Sequence, residues 1–165
     1  MISCFWKGLS GILVAVLIVG QWSTVADAEE QVILEISGNV SVDGEVLFTR
    51  SALEALGSTE IATTTPWHDG VVRFEGVPLK SLLAHVGALG NDLTVFALND
   101  YSATIPMKDL EEFNPILALK LNGKHMGVED KGPLFVIYPF DSDTKLQSEI
   151  YFSRSVWQAN KILVK

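Results

Sequence analysis

From Val32 onward the chain is a succession of short apolar runs, each soon stopped by a turn former. Ile61 to Thr65 ends at Pro66, Leu93 to Leu98 at Asn99-Asp100-Tyr101, Ile116 to Leu121 at Asn122-Gly123, and Leu134 to Tyr138 at Pro139. Apolar runs of this length between Pro, Gly, Asn and Asp read as strands, and strands so short need distant partners to bury a face. Val32 to Ile36, a hairpin arm from Ser41 to Phe48 turning at Asp43-Gly44, Val71 to Phe74, Ala103 to Ile105 and Ile162 to Val164 complete the set. Helical patterns are few. In "TRSALEALG" Thr49 is the cap, Ala52, Leu53 and Leu56 point inward and Gly57 is the stop. In "PLKSLLAHVGALG" Pro78 opens the first turn and Leu79, Leu82, Leu83 and Val86 share a face. Met107 to Phe113 reads as one or two turns, and Ser153 as the cap of a last helix reaching Asn160. The expected fold is α+β: a single domain of mixed short β-strands with a few short helices.

The first 28 residues read as a signal peptide rather than an anchor. Lys7 supplies the basic start, Gly8 to Gly20 the apolar stretch, and Ala26-Asp27-Ala28 the small-x-small cleavage site. The stretch is shorter than the ~20 residues of a spanning helix. Export through the inner membrane and a mature domain of residues 29–165 in the periplasm are therefore expected, with no direct membrane insertion after cleavage.

Cleavage also removes the only cysteine, Cys4. The mature domain then has neither a disulfide nor a thiolate metal ligand. Lys and Arg number 12 against 20 Asp and Glu, a net charge of -8, and the leader holds one of each sign, so the mature balance is unchanged. Such a surface repels a phosphate backbone, which excludes nucleic acid as a partner. His68, His85 and His125 fall in no metal spacing, and neither a nucleophile elbow nor a phosphate-cradling glycine loop occurs.

What remains is aromatic and polar. Trp67 follows Pro66 in "TTTPWHDG", where helical or strand periodicity gives a large ring no reason to be buried. Asn99-Asp100-Tyr101 forms another turn, and Tyr138 ends the run "GPLFVIYP". Arg154, Trp157 and Gln158 are spaced to share one face of the expected last helix. Two indoles, a carboxylate and an arginine around one site suit a planar heteroaromatic ligand with a donor-rich edge. A pterin, a purine and a flavin all meet that description.

The segments "TTTPWHDG", "FEGVPLKSLL", "ALNDYSATIP", the glycine of "LALKLNGKHM", "KGPLFVIYPF" and "SRSVWQANKI" occur in the order in which similar motifs occur in one family. From Val32 to Lys165 the sequence resembles the small exported proteins with the sulfite-oxidase molybdopterin-binding fold. Some of those proteins bind pterins and act on the periplasmic domain of a membrane-bound cyclic-di-GMP synthase or phosphodiesterase. The resemblance implies a pterin ligand, a reduced one, near Trp67, Asn99, Asp100, Tyr101, Tyr138, Arg154 and Trp157. It also implies an inner-membrane sensor enzyme as partner. Enzymes of the fold hold molybdenum through a cysteine thiolate, and the mature domain departs from them there. The expectation is a pterin-binding regulator with no molybdenum and no catalysis of its own. The alternatives are a ligand-free interaction module and, more distantly, a molybdopterin-dependent oxidoreductase. The pterin species, the sign of regulation, the oligomeric state and the placement of His68 and Lys131 are left open by the sequence.

Overall fold

In "VILEISG" alternation sends Leu34 and Ile36 to one face, and both are fully buried. The computed structural model describes residues 30–42 and 44–165, so the expected leader, Cys4 and Asp43 of the expected turn lie outside it. The strands in chain order are β1 (Val32–Gly38), β2 (Val46–Thr49), β3 (Thr59–Thr65), β4 (His68–Pro78), β5 (Asp92–Ala97), β6 (Ser102–Pro106), β7 (Ile116–Leu121), β8 (Lys124–His125), β9 (Phe135–Ile137) and β10 (Ala159–Val164). Four short helices join them: α1 (Arg50–Ala55), α2 (Leu79–His85), α3 (Met107–Glu112) and α4 (Glu149–Arg154).

Two five-stranded sheets result. The first runs β2-β1-β10-β5-β6, and only β1 with β10 is parallel, which brings the start and end of the described chain side by side. The second runs β3-β4-β7-β8, with β9 beside β8 on the same flank of β7. In β7 four successive residues, Ile116 to Leu119, are buried, because the second sheet is covered on both faces. Leu117 and Leu119 join the main core with Leu34, Leu53, Leu82 and Val95, while Ile116 and Ala118 join Phe74, Phe135 and Ile137 behind it. At Gly76 a Cβ would lie 2.1 Å from the Leu117 carbonyl oxygen, so only glycine lets β4 come this close to β7.

Local signals explain most boundaries. The Thr49 hydroxyl accepts from the Ala52 amide at 3.2 Å, and Gly57 follows α1 at a φ of 97°. The mixed sheets and few short helices agree with the expected α+β fold. β4 runs further than expected, from His68 to Pro78, because its second half pairs with β7.

One expectation is corrected. No helix runs from Ser153 to Asn160; α4 ends at Arg154, near where that helix was to begin. The segment beyond it is extended: the Val136 amide donates to the Val156 carbonyl, Gln158 to Lys131, and Ala159 to Leu134. Val156 and Ala159 are fully buried by this pairing, and Gln158 sits at a φ of 53°, which a helix interior does not allow. Cross-chain pairing with residues 131–136 outweighs the local helical spacing of Arg154, Trp157 and Gln158.

Candidate functional site: an aromatic cleft at the sheet ends

The three hydroxyls of "TTTPWHDG" each hold part of the turn that carries Trp67. Thr63 is buried and its Oγ1 accepts from the Asp141 amide at 3.1 Å. Thr64 donates to the Asp141 carboxylate through its amide (2.7 Å) and its hydroxyl (2.5 Å), and these bonds hold the Asp141 carboxyl below the usual carboxylate range. Thr65 Oγ1 meets His68 Nδ1 at 2.9 Å and accepts from the Trp67 amide at 3.3 Å. The β3–β4 turn is thereby tied at its base to the loop after β9, and Trp67 is fixed where the two cores meet.

Around that indole the rings meet edge to face. Centroid distances from Trp67 are 5.3 Å to Phe135, 6.0 Å to Phe140, 6.0 Å to Phe152 and 5.8 Å to Trp157. Trp67 and Trp157 lie at 78°, so they form a corner and not two parallel walls. The corner opens into a cleft of about 280 Å³ lined by Trp67, Asn99, Tyr101, Glu149, Phe152, Ser153, Ser155 and Trp157. Tyr101 spans its rim, its hydroxyl donating to the Ser153 carbonyl at 2.8 Å. Asn99 closes an Asx turn by accepting from the Tyr101 amide at 3.2 Å. Glu149 is the only charged side chain lining the cleft among the described residues.

The oxidoreductase molybdopterin-binding domain family matches residues 23–142. The chain belongs to this family. The match stops short of α4, which carries Glu149 and Phe152, and of the extended segment after it, where Trp157 bridges to Phe135. Among solved structures, the crystal structure of the sulfane dehydrogenase SoxCD from Paracoccus pantotrophus is similar, with a TM-score of 0.59 and 20% identity. The likeness covers 79% of this chain and 37% of that one, and it shows the shared fold. No curated protein matches the sequence.

Molybdopterin combines a pterin ring, a phosphate and a metal-binding dithiolene, and the cleft suits these parts unequally. Its indole corner fits a flat ring, and Glu149 fits the donor-rich edge of a pterin. A phosphate finds no cation among the lining residues and meets the Glu149 carboxylate instead. For a metal, the described residues contain no cysteine and no group of three or more His, Cys, Asp or Glu able to hold one.

Of the residues expected at a common site, Trp67, Asn99, Tyr101 and Trp157 line the cleft together. Asp100 stands beside it on the exposed turn at a φ of 65°. Tyr138 and Arg154 are drawn away from it. The Tyr138 ring is fully buried, and its hydroxyl donates to Asp109 Oδ2 at 2.9 Å. Arg154 donates to the same oxygen at 2.8 Å and lies over the Tyr151 ring. Burial and the Asp109 charge push the Tyr138 hydroxyl far above the normal tyrosine range, so it stays a neutral donor. His68 and Lys131 do not line the cleft. His68 is held by Thr65, and burial together with Lys131 lowers its pKa; the Lys131 ammonium lies 5.6 Å from the Trp157 ring centroid.

Two acidic residues, one lining the cleft and one bracing Tyr138 and Arg154, escaped the sequence reading. Glu149 belonged to no recognised element, because the helix that presents it had been placed after it. Asp109 lay in a short helix with exposed acidic neighbours, Glu111 and Glu112, and nothing local distinguishes the buried carboxylate from the solvated ones.

Proposed function

We propose that this domain is an exported pterin-binding regulator: it holds an unphosphorylated, reduced pterin in the Trp67–Trp157 cleft and performs no catalysis of its own. The observation that carries the reading is the charge of the cleft. An indole corner lined by one carboxylate and no cation, with the Lys131 ammonium near Trp157 but outside the lining, receives a neutral, donor-rich bicyclic ring and disfavours an anionic phosphate. The size restricts the ligand to a small ring system, since about 280 Å³ lies just below the range of roughly 300–1,000 Å³ for small-ligand pockets. Stacking on Trp67 and Trp157 supplies apolar contact, Glu149 and the Asn99 amide read the ring edge, and Asp100 stands within the same turn. Arg154 pairs with Asp109, and in this reading it braces the fold and does not receive an anion.

The proposed partner is the periplasmic domain of an inner-membrane enzyme that makes or degrades cyclic-di-GMP. Support for it comes from the order of motifs along the sequence and from the expected signal peptide. A binding protein of this kind needs no nucleophile and no metal ligand, in keeping with residues 29–165 lacking cysteine.

The test is to purify the exported protein under low oxygen, denature it, and identify released small molecules by fluorescence and mass spectrometry, with molybdenum measured in the same sample. A pterin near one equivalent with molybdenum far below it supports the reading. Near-equimolar molybdenum overturns it in favour of an oxidoreductase. A protein that is empty and also fails to bind added tetrahydropterin overturns it in favour of an interaction module.

A further inference from the structure

A second, larger concavity of about 440 Å³ lies on the other side of the cleft wall. Leu98 faces it while the next residue, Asn99, faces the cleft, and Trp157 and Asn160 are divided in the same way. The wall is one backbone layer, in which the Leu98 amide donates to the Gln158 carbonyl at 3.0 Å and the Gln158 side chain donates to the Val128 carbonyl at 2.9 Å.

The groove gathers apolar side chains that a monomeric surface usually scatters. Val32, Leu47, Leu98 and Val128 all line it, and each is between 46% and 56% exposed. Adjoining half-wet apolar side chains of this kind mark a surface that another molecule covers. At the mouth stands Arg50. The chain has three arginines; Arg73 pairs with Glu60 and Arg154 with Asp109, whereas Arg50 has no ion-pair partner among the described residues. The Glu30 carboxylate accepts from the Ser51 hydroxyl and amide, which lower its pKa, and Arg50 is near enough for its charge to help; the carboxylate lining the groove, Glu35, pairs with Lys161.

We infer that this groove docks an extended segment of a partner protein whose apolar side chains cover Val32, Leu47, Leu98 and Val128 and whose carboxylate pairs with Arg50. A guanidinium outside any ion pair among the described residues, beside apolar walls, selects an anionic group set in an apolar segment. A second copy of the chain brings the same negative charge and is opposed by repulsion. A small amphiphile would leave half of these open walls in water, while a polypeptide segment covers them. The inference does not depend on what the cleft holds.

The test is selection of a random peptide library displayed on phage, on the purified protein with no pterin added, followed by affinity measurement with the enriched peptides. Enriched sequences are expected to combine apolar residues with Asp, Glu or a free C-terminus. Their affinity should fall by roughly tenfold in Arg50→Glu and be largely kept in Arg50→Lys. Leu47→Asp and Val128→Asp, both at exposed positions, should weaken binding while leaving the circular dichroism and the unfolding midpoint in place. Absence of enrichment overturns the inference, as does binding indifferent to both Arg50→Glu and Val128→Asp. Peptides without sequence preference that decanoate displaces assign the groove to a small amphiphilic carboxylate and overturn the peptide reading.

Discussion

The cleft and the carboxylate centre behind it are built from the same residue types and do different work. In the centre, Asp109 is buried and spends one oxygen on two donors, Tyr138 and Arg154, joining α3, the residue after β9, and α4. In the cleft, Glu149 is exposed, the indoles meet at a corner, and Trp157 keeps 36% of its surface in water. Aromatic rings beside a carboxylate therefore make a brace where a cation and a hydroxyl satisfy that carboxylate, and in the proposed reading a receptor where no such partner does. The difference lies in what surrounds the side chains.

The largest effect is expected at the brace. Asp109→Ala leaves the Arg154 guanidinium and the Tyr138 hydroxyl without their acceptor, and should cost about 3 kcal/mol, read as a lower denaturation midpoint with unchanged m-value. Tyr138→Phe removes a single donor to a charged acceptor and should cost about 1.5 kcal/mol while leaving pterin affinity unchanged. If it weakens binding strongly without loss of stability, Tyr138 belongs to the receptor and the division fails.

In the cleft the order reverses, with binding affected more than folding. Glu149→Gln should lower pterin affinity by roughly tenfold, measured by calorimetry, and change stability by less than about 0.5 kcal/mol because the side chain is exposed. Unchanged affinity would move the edge-reading role to Asp100. Trp67→Ala should affect both, since that indole packs on Phe135 and Phe140 as well as facing the cleft.

The smallest expected effect is a pH dependence at the turn. His68 has its folded pKa lowered below 6.5, so the unfolded chain takes up the proton first as pH falls. Its contribution is neutral above that value, and stability declines through the window below it. His68→Gln should flatten this decline in denaturation midpoints measured across that range. An unaltered slope would show that His68 is not the titrating group.

The sequence reading and the structure agree on the strands bounded by Pro66, Asn99-Asp100, Asn122-Gly123 and Pro139, and on the Thr49 cap and Gly57 stop of α1. In each case the signal is local: a missing N–H, a tolerated positive φ, or a hydroxyl in reach of an amide. Trp67, Asn99 and Tyr101 were expected in turns at strand ends and Trp157 on a last helix; all four line the cleft, Trp157 from the extended segment that stands in place of that helix. The segment from Ser153 to Asn160 differs from its expected helix, since the spacing of Arg154, Trp157 and Gln158 fits a helix and its pairing with residues 131–136 has no local mark.

By itself, then, the chain's order of residues determined short strands, few helices, an acidic stretch from residue 29 to 165 without cysteine, and aromatic turns at strand ends. The tertiary structure alone decided that Arg154 and Tyr138 meet Asp109, that Glu149 faces the indoles, and that half-exposed apolar residues gather beside Arg50. Propensity and capping act over a few residues, whereas the environment of a carboxylate or a guanidinium is set by neighbours that the chain brings in from distant segments: 45 residues separate Arg154 from Asp109.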